Sequence, residues 1–206
     1  MKKKIMLLAV TSAFLGSCTD HDLPDSTRFS LNTQSVAEWK GFLKTGYFNN
    51  GTIKVESDDI KVENGKVAGG SFKIPVSSII NLNLPTEQIK EQLVHHLQSP
   101  DFFNMALHPD VTYEILNVSP YSGTEEGVVA GANYLVNGSL TILGKKNPVS
   151  FPAKIVVAGD LLSVEANVKF DRTKWGITYA SDPELAPENY IEPLIEVHLQ
   201  LSASKK

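Results

Sequence analysis

The chain has a single cysteine, Cys18, in 206 residues. No disulfide can close within it, and a cysteine-built metal site is excluded. Histidine is scarce too, at five residues, and only His95 and His96 are neighbours. Adjacent side chains on a helix point about 100° apart, so this pair does not share one metal. Positive charge is short: 19 Lys and Arg stand against 23 Asp and Glu, a net charge of −4. A nucleic-acid surface needs clustered Lys and Arg, and docking on anionic lipid needs the same, so both are disfavoured. No apolar run is long enough to span a bilayer. No serine sits in a nucleophile elbow and no pair of carboxylates stands out, so nothing in the chain points to an enzyme. There is no internal repeat and no low-complexity tract.

What is present starts at the N-terminus. Lys2-Lys3-Lys4 precede the apolar Ile5-Met6-Leu7-Leu8-Ala9-Val10, and Leu15-Gly16-Ser17 lead into Cys18. A basic region, an apolar region and small residues make a secretory signal. Leu15-Gly16-Ser17-Cys18 resembles the bacterial lipobox, in which cleavage leaves a cysteine acylated on its thiol and its new amino group. Residues 1–17 are thus expected as a lipoprotein signal peptide and 18–33 as a lipidated N-terminus and polar tether. Residues 34–206 form the domain. Two or more acyl chains anchor stably, at about 0.8 kcal/mol per buried CH2. Removal of residues 1–17 takes away three lysines and no acid, which moves the net charge from −4 to −7. The expected location is the periplasmic side of the outer membrane or the cell surface. Thr19, rather than Asp, after Cys18 favours the outer membrane by analogy with enteric sorting.

After the tether, strand follows strand with period-two alternation. Leu162, Val164, Ala166, Val168 and Phe170 are interleaved with Ser163, Glu165, Asn167 and Lys169. Ile195, Val197, Leu199 and Leu201 alternate with Glu196, His198 and Gln200. Phe72, Ile74 and Val76, then Val149, Phe151, Ala153 and Ile155, then Tyr134, Val136, Leu140 and Ile142 do likewise. One apolar face and one wet face is the pattern of antiparallel sheet. Asn64-Gly65 reads as a type I′ hairpin turn, because it supplies positive φ at both central residues. Gly69-Gly70 inside a strand predicts a bulge or a sharp corner. Residues 85–97 break the pattern. They predict a helix capped by Thr86, with Ile89, Leu93 and Leu97 as its apolar stripe.

About eight antiparallel strands with one short inserted α-helix predict an all-β, lipocalin-like barrel, with a two-sheet sandwich as the alternative. Several blocks then resemble one family. Residues Leu93-Val94-His95-His96-Leu97-Gln98-Ser99-Pro100-Asp101-Phe102-Phe103 resemble the "HLkSpDFF" block of YceI-like proteins. Val136-Asn137-Gly138-Ser139-Leu140-Thr141-Ile142-Leu143-Gly144 resembles their "vtGnLTikG" strand, and Asp171-Arg172-Thr173-Lys174-Trp175-Gly176-Ile177-Thr178-Tyr179 their "DRTdWGIrYG" block. Trp39-Lys40-Gly41 and Gly51-Thr52-Ile53 also fit. The resemblance runs from about Val36 to Leu201. There are departures: a family histidine is Phe48 here, an aspartate is Pro75, and the final glycine of the last block is Ala180.

The resemblance implies an extracytoplasmic barrel; some members bind long isoprenoids such as quinones or polyprenyl phosphates. The expected ligand is therefore a hydrophobic or amphiphilic small molecule, a polyprenyl or quinone species, with no other cofactor and no metal. Small inward residues, Ala153, Ala166 and Gly138, leave room in the lumen, whereas Phe72, Phe151 and Phe170 fill it. The expected walls are Phe72, Ile74, Phe102, Phe103, Tyr113 and Phe170. Trp175 and Tyr179 are expected at the entrance, with Arg172 near the ligand's head group. The residue-level alternative for Arg172 is a structural pairing with a carboxylate beside the Asp171 turn. Partners are the ligand and, through acylated Cys18, a membrane; a homodimer stays open. A filled barrel acting as an assembly module, or an enzyme on a lipid-like substrate, are the other readings.

Overall fold

The computed structural model describes residues 26–206. Its strands are β1 (Ser26–Leu31), β2 (Val36–Leu43), β3 (Phe48–Lys54), β4 (Glu56–Glu63), β5 (Lys66–Pro75), β6 (Ile80–Asn81), β7 (Asp110–Pro120), β8 (Tyr134–Ile142), β9 (Lys145–Ala158), β10 (Leu161–Asp171) and β11 (Ile191–Lys205), with helix α1 (Glu87–Gln98) between β6 and β7. All ladders are antiparallel, and β1 pairs with both β4 and β11. That second pairing closes a ring of eight: β1, β4, β5, β7, β8, β9, β10 and β11. A single sheet closed on itself is a barrel and not a sandwich. The remaining segments extend three of the eight strands. β1 and β2 lie end to end along β11, at Phe29↔Lys205 and Val36↔Gln200. β3 continues into β4 through Val55, and β5 into β6 through a 3-10 turn at Val76–Ser78. The chain therefore runs up and down in sequence order, and α1 follows the third strand.

Local chemistry sets the turns. Asn64 (φ 50°) and Gly65 (φ 74°) both take positive φ, which is the type I′ geometry that matches strand twist. The expected irregularity at Gly69-Gly70 is a bulge: Lys61 faces Gly69 but Val62 faces Val67, so Ala68 is the extra residue. Thr86 caps α1, its hydroxyl accepting from the Ile89 amide at 3.3 Å. The stripe on that helix is narrower than its spacing predicts. Leu93 and Leu97 face the barrel interior, but Ile89 is 41% exposed.

The two ends of the barrel differ. One end holds the β4–β5 and β9–β10 turns, and there Phe29, Ile60, Val62, Leu162 and Ala203 are buried and close it. The other end holds the β2–β3 hairpin, α1 and the long connection from β10 to β11. The inward residues Ile195, Val197 and Leu199 of β11 are only half-buried there, whereas Leu201 and Ala203 farther along are buried. An inward side chain that stays half-exposed faces unfilled space.

One boundary moves. Residues 26–31 lie in the stretch expected as tether, yet they form β1, and Phe29 at 1% exposure is among the most buried side chains. The alternation Arg28-Phe29-Ser30-Leu31 is too short to stand out among turn residues. The signal peptide, the lipobox at Cys18 and residues 19–25 of the tether lie outside the described residues. Among the described residues, no helix is long and apolar enough to cross a membrane.

Candidate functional site

The interior residues of β2, β3, β5 and β7–β11 surround a continuous lumen of about 300 Å³. Period-two alternation places these side chains there. Of the expected walls, Phe72, Ile74, Phe102, Phe103, Tyr113 and Phe170 all line it, and so does Arg172. Leu93 and Leu97 of α1 and Phe102 and Phe103 just beyond it cover the helix-side opening.

Trp175 and Tyr179 do not line the lumen. Trp175 is 1% exposed, donates its Nε1–H to the Leu140 carbonyl at 3.0 Å, and meets Phe170 edge-on at 5.4 Å. It braces a lumen wall from behind. Tyr179 is 44% exposed and packs on the outside of the helix end, 4.7 Å from the His96 ring and 5.3 Å from the Phe102 ring. His96 bonds Asp101 at 3.0 Å, so the end of α1, Phe102 and the β10–β11 connection form one latch. The space expected from small residues is also occupied elsewhere. The Tyr113 ring lies where a Cβ on Gly138 would go, and Ala153 and Ala166 are fully packed.

Arg172 is 2% exposed and, among the described residues, pairs with no carboxylate, contrary to the structural alternative. It donates instead to three carbonyls: Ile177 at 2.8 Å, Ile191 at 2.9 Å and Glu192 at 3.3 Å. Its planar fork thus ties both ends of the β10–β11 connection. Desolvation lowers its pKa, opposed by the nearby Asp171 carboxylate and Tyr190. Asp171 caps the 3-10 turn that follows, accepting from the Thr173 amide at 2.9 Å. Tyr113 donates to the Val149 carbonyl at 3.0 Å, and burial pushes its pKa well above the ordinary value. Among the described residues, no cluster of His, Cys, Asp or Glu is arranged to hold a metal.

Among the lumen residues not expected, Trp39 and Asn49 are the two that carry polar atoms. Trp39 and Asn49 project inward from β2 and β3, and Trp39 Nε1 and Asn49 Oδ1 are buried without a hydrogen-bond partner among the described residues. Their signal was in the sequence: Ala37, Trp39 and Gly41 alternate with Glu38 and Lys40, and Asn49 falls in phase with Gly51 and Ile53. A polar residue on the apolar phase of a strand marks such a position.

A YceI-like domain matches residues 25–203. The chain belongs to the YceI-like family. Among solved structures, this YceI-like chain is similar to BcnA of Burkholderia cenocepacia, with a TM-score of 0.61 at 17% identity, covering 83% of this chain and 97% of that one. It is also similar to a polyisoprenoid-binding domain from Saccharophagus degradans implicated in plant cell wall breakdown, with a TM-score of 0.60 at 12% identity, covering 87% and 99%. At such identities the likeness shows the fold. No curated protein matches the chain. Phe48 packs 6.0 Å from Phe42 with Lys40 Nζ 4.7 Å from its ring, and does not line the lumen.

Proposed function

We propose that this YceI-like barrel holds a long hydrophobic or amphiphilic molecule of the polyisoprenoid class and carries it beside a membrane. The observation that supports this most is the lumen: one chamber of about 300 Å³, lined almost wholly by hydrocarbon, with inward side chains left half-buried near one end. A filled barrel would bury those side chains against each other. A hydrocarbon chain gains affinity with each CH2 it buries and needs few polar contacts, so such a chamber suits it. The similar Saccharophagus degradans domain, described as polyisoprenoid-binding, supports the ligand class. The role is burial and shielding; no bond chemistry is assigned. Acylation of Cys18 would hold the barrel at the outer membrane, on its periplasmic side or at the cell surface. A Cys18→Ser variant recovered with the membranes would contradict that anchor; recovery in the soluble fraction supports it.

The test of binding is direct. The acyl-free domain, purified from a bacterial host without detergent, is expected to carry a polyprenyl or quinone lipid at near-stoichiometric amount by mass spectrometry. Phe170→Glu places a charge in the lumen wall beside Trp175 and is expected to leave the protein lipid-free. An empty wild-type protein that also takes up no added isoprenoid would refute the carrier reading.

A further inference from the structure

The exposed apolar side chains of the molecule are unevenly placed. Among the described residues, twelve large hydrophobic side chains are exposed, and nine of them lie on segments at the mouth: the β2–β3 hairpin, β6 and the residue after it, α1, the connections that follow α1 and β10, and the start of β11. Single exposed hydrophobics are ordinary, but their concentration at one end is not. Five of the nine sit together on one side. Asn49 and Ile53 are the inward phase of β3, so Phe48 and Thr52 face outward. Ile80 lies opposite Thr52 and shares that outer face, and the Leu82 amide donates to the Asn50 carbonyl, which carries the face on to Leu82. Tyr47 precedes Phe48 at the hairpin tip, and Ile89 is exposed on α1, which lies against β6. Exposure runs from 38% at Phe48 to 53% at Leu82. The patch and the chamber share a rim, because Leu43 and Asn49 of the same hairpin line the lumen.

Two lysines border the patch. Lys40 Nζ lies 4.7 Å from the centre of the Phe48 ring, and Lys44 Nζ lies 5.3 Å from that of Tyr190. Among the described residues, neither is in a salt bridge. Aliphatic and aromatic side chains flanked by lysines fit the interfacial layer of a bilayer: the hydrocarbon sinks in, and the ammonium groups meet lipid phosphates. Two cations on a chain of net charge −4 are too few for binding to depend on anionic lipid. The expected tether does not reach the patch. β1 starts at the closed end, where Ser26 faces Glu63. Residues 18–25 span about 28 Å at most, whereas the strand from Glu63 back to Phe48 runs about 50 Å.

We infer that this patch docks on the surface of a phospholipid bilayer and sets the mouth against it, so that the ligand passes between bilayer and lumen without crossing water. This rests on the lumen being a chamber for a membrane lipid.

The experiment is flotation of the acyl-free domain, which contains every strand of the closed ring, with vesicles of pure phosphatidylcholine. The wild type is expected to float with them and to stay bound at about 1 M salt, where the screening length falls to about 3 Å. Ile80→Glu and Leu82→Glu are each expected to lower partitioning about tenfold, since each removes an apolar side chain from the buried contact. Leu161→Glu, at a more exposed leucine of the closed end, should leave partitioning unchanged. Both patch variants should bind a fluorescent fatty probe in the lumen as the wild type does, which reports that they are folded, yet deliver it to vesicles more slowly. A wild type that takes up the probe but does not float would overturn the docking and leave the chamber. Loss of flotation at high salt, or an equal loss in Leu161→Glu, would overturn it too. A dimer in solution that Leu82→Glu dissociates would assign the patch to a second copy of the chain instead. Flotation without uptake of the probe would remove the chamber, and the transfer with it.

Discussion

Tyr113 lies on β7 with its ring over Gly138 and its hydroxyl on the Val149 carbonyl, so one residue fills the gap that a glycine leaves and pins β9. Burial raises its pKa, because the phenolate would lose its hydration inside the barrel. The sign of the linkage follows. The folded state keeps this proton above pH 10, where the unfolded chain releases it. The stabilisation is therefore complete below about pH 10 and is lost as pH climbs from there toward the raised folded value. Tyr113→Phe is expected to flatten the alkaline limb of a stability profile measured by denaturant titration, leaving its shape near neutrality unchanged. An unaltered alkaline slope would mean that other tyrosines carry it. At this scale the sequence was partly legible. Alternation says which side chains point inward, and Phe72, Phe151 and Phe170 do line the lumen. It does not say which inward side chains meet a void and which meet each other. Ala153 and Ala166 are inward and fully packed, because larger neighbours fill the space beside them.

Among the elements, α1 is the least secured. It has no buried residue, and its hold on the barrel comes from Leu93, Leu97, the Gln98 amide donating to the Val76 carbonyl at 3.4 Å and the latch at His96, Phe102 and Tyr179. Such a segment opens locally at low cost while the barrel stays closed. Loss of an N-cap costs about 1 kcal/mol, roughly a fivefold rise in the open population. Thr86→Ala is thus expected to speed amide exchange in 87–98 and ligand release by about that factor, with amides of β9 unaffected. Equal acceleration throughout would show that α1 opens only with the whole fold. Helix and cap were legible because both rest on local chemistry: a threonine ahead of a helical spacing. The misplacement of Ile89 has a longer-range cause. Spacing defines a stripe, but the barrel mouth decides how much of the stripe is covered, and only the last two turns reach it.

For the whole molecule, closure is the property that sequence alternation cannot supply. Each strand's pattern looks the same in an open sheet, a sandwich or a barrel; the seam is a pairing between the two ends of the described chain. That seam runs along β11 in two parts: Phe29↔Lys205, Ser30↔Ser204 and Leu31↔Ala203 join β1 to it at the closed end, and β2 continues it from Val36↔Gln200, while Ser26–Phe29 pair with β4. Phe29 plugs the closed end beneath it. Truncation of a buried phenylalanine costs about 3–5 kcal/mol, against a typical total of about 5–15 kcal/mol. Without β1, moreover, the closed-end stretches of β4 and β11 that it covers, 60–63 and 203–205, would present free edges that invite pairing between molecules. A chain beginning at Ser26 is therefore expected to melt as a single cooperative barrel by circular dichroism. A chain beginning at Asn32 should elute as aggregate in size exclusion and show no cooperative transition. Phe29→Ala separates the two causes. A monomer with a lowered melting temperature would assign the loss to core packing, and an aggregate would show that the seam itself opens once its plug is gone.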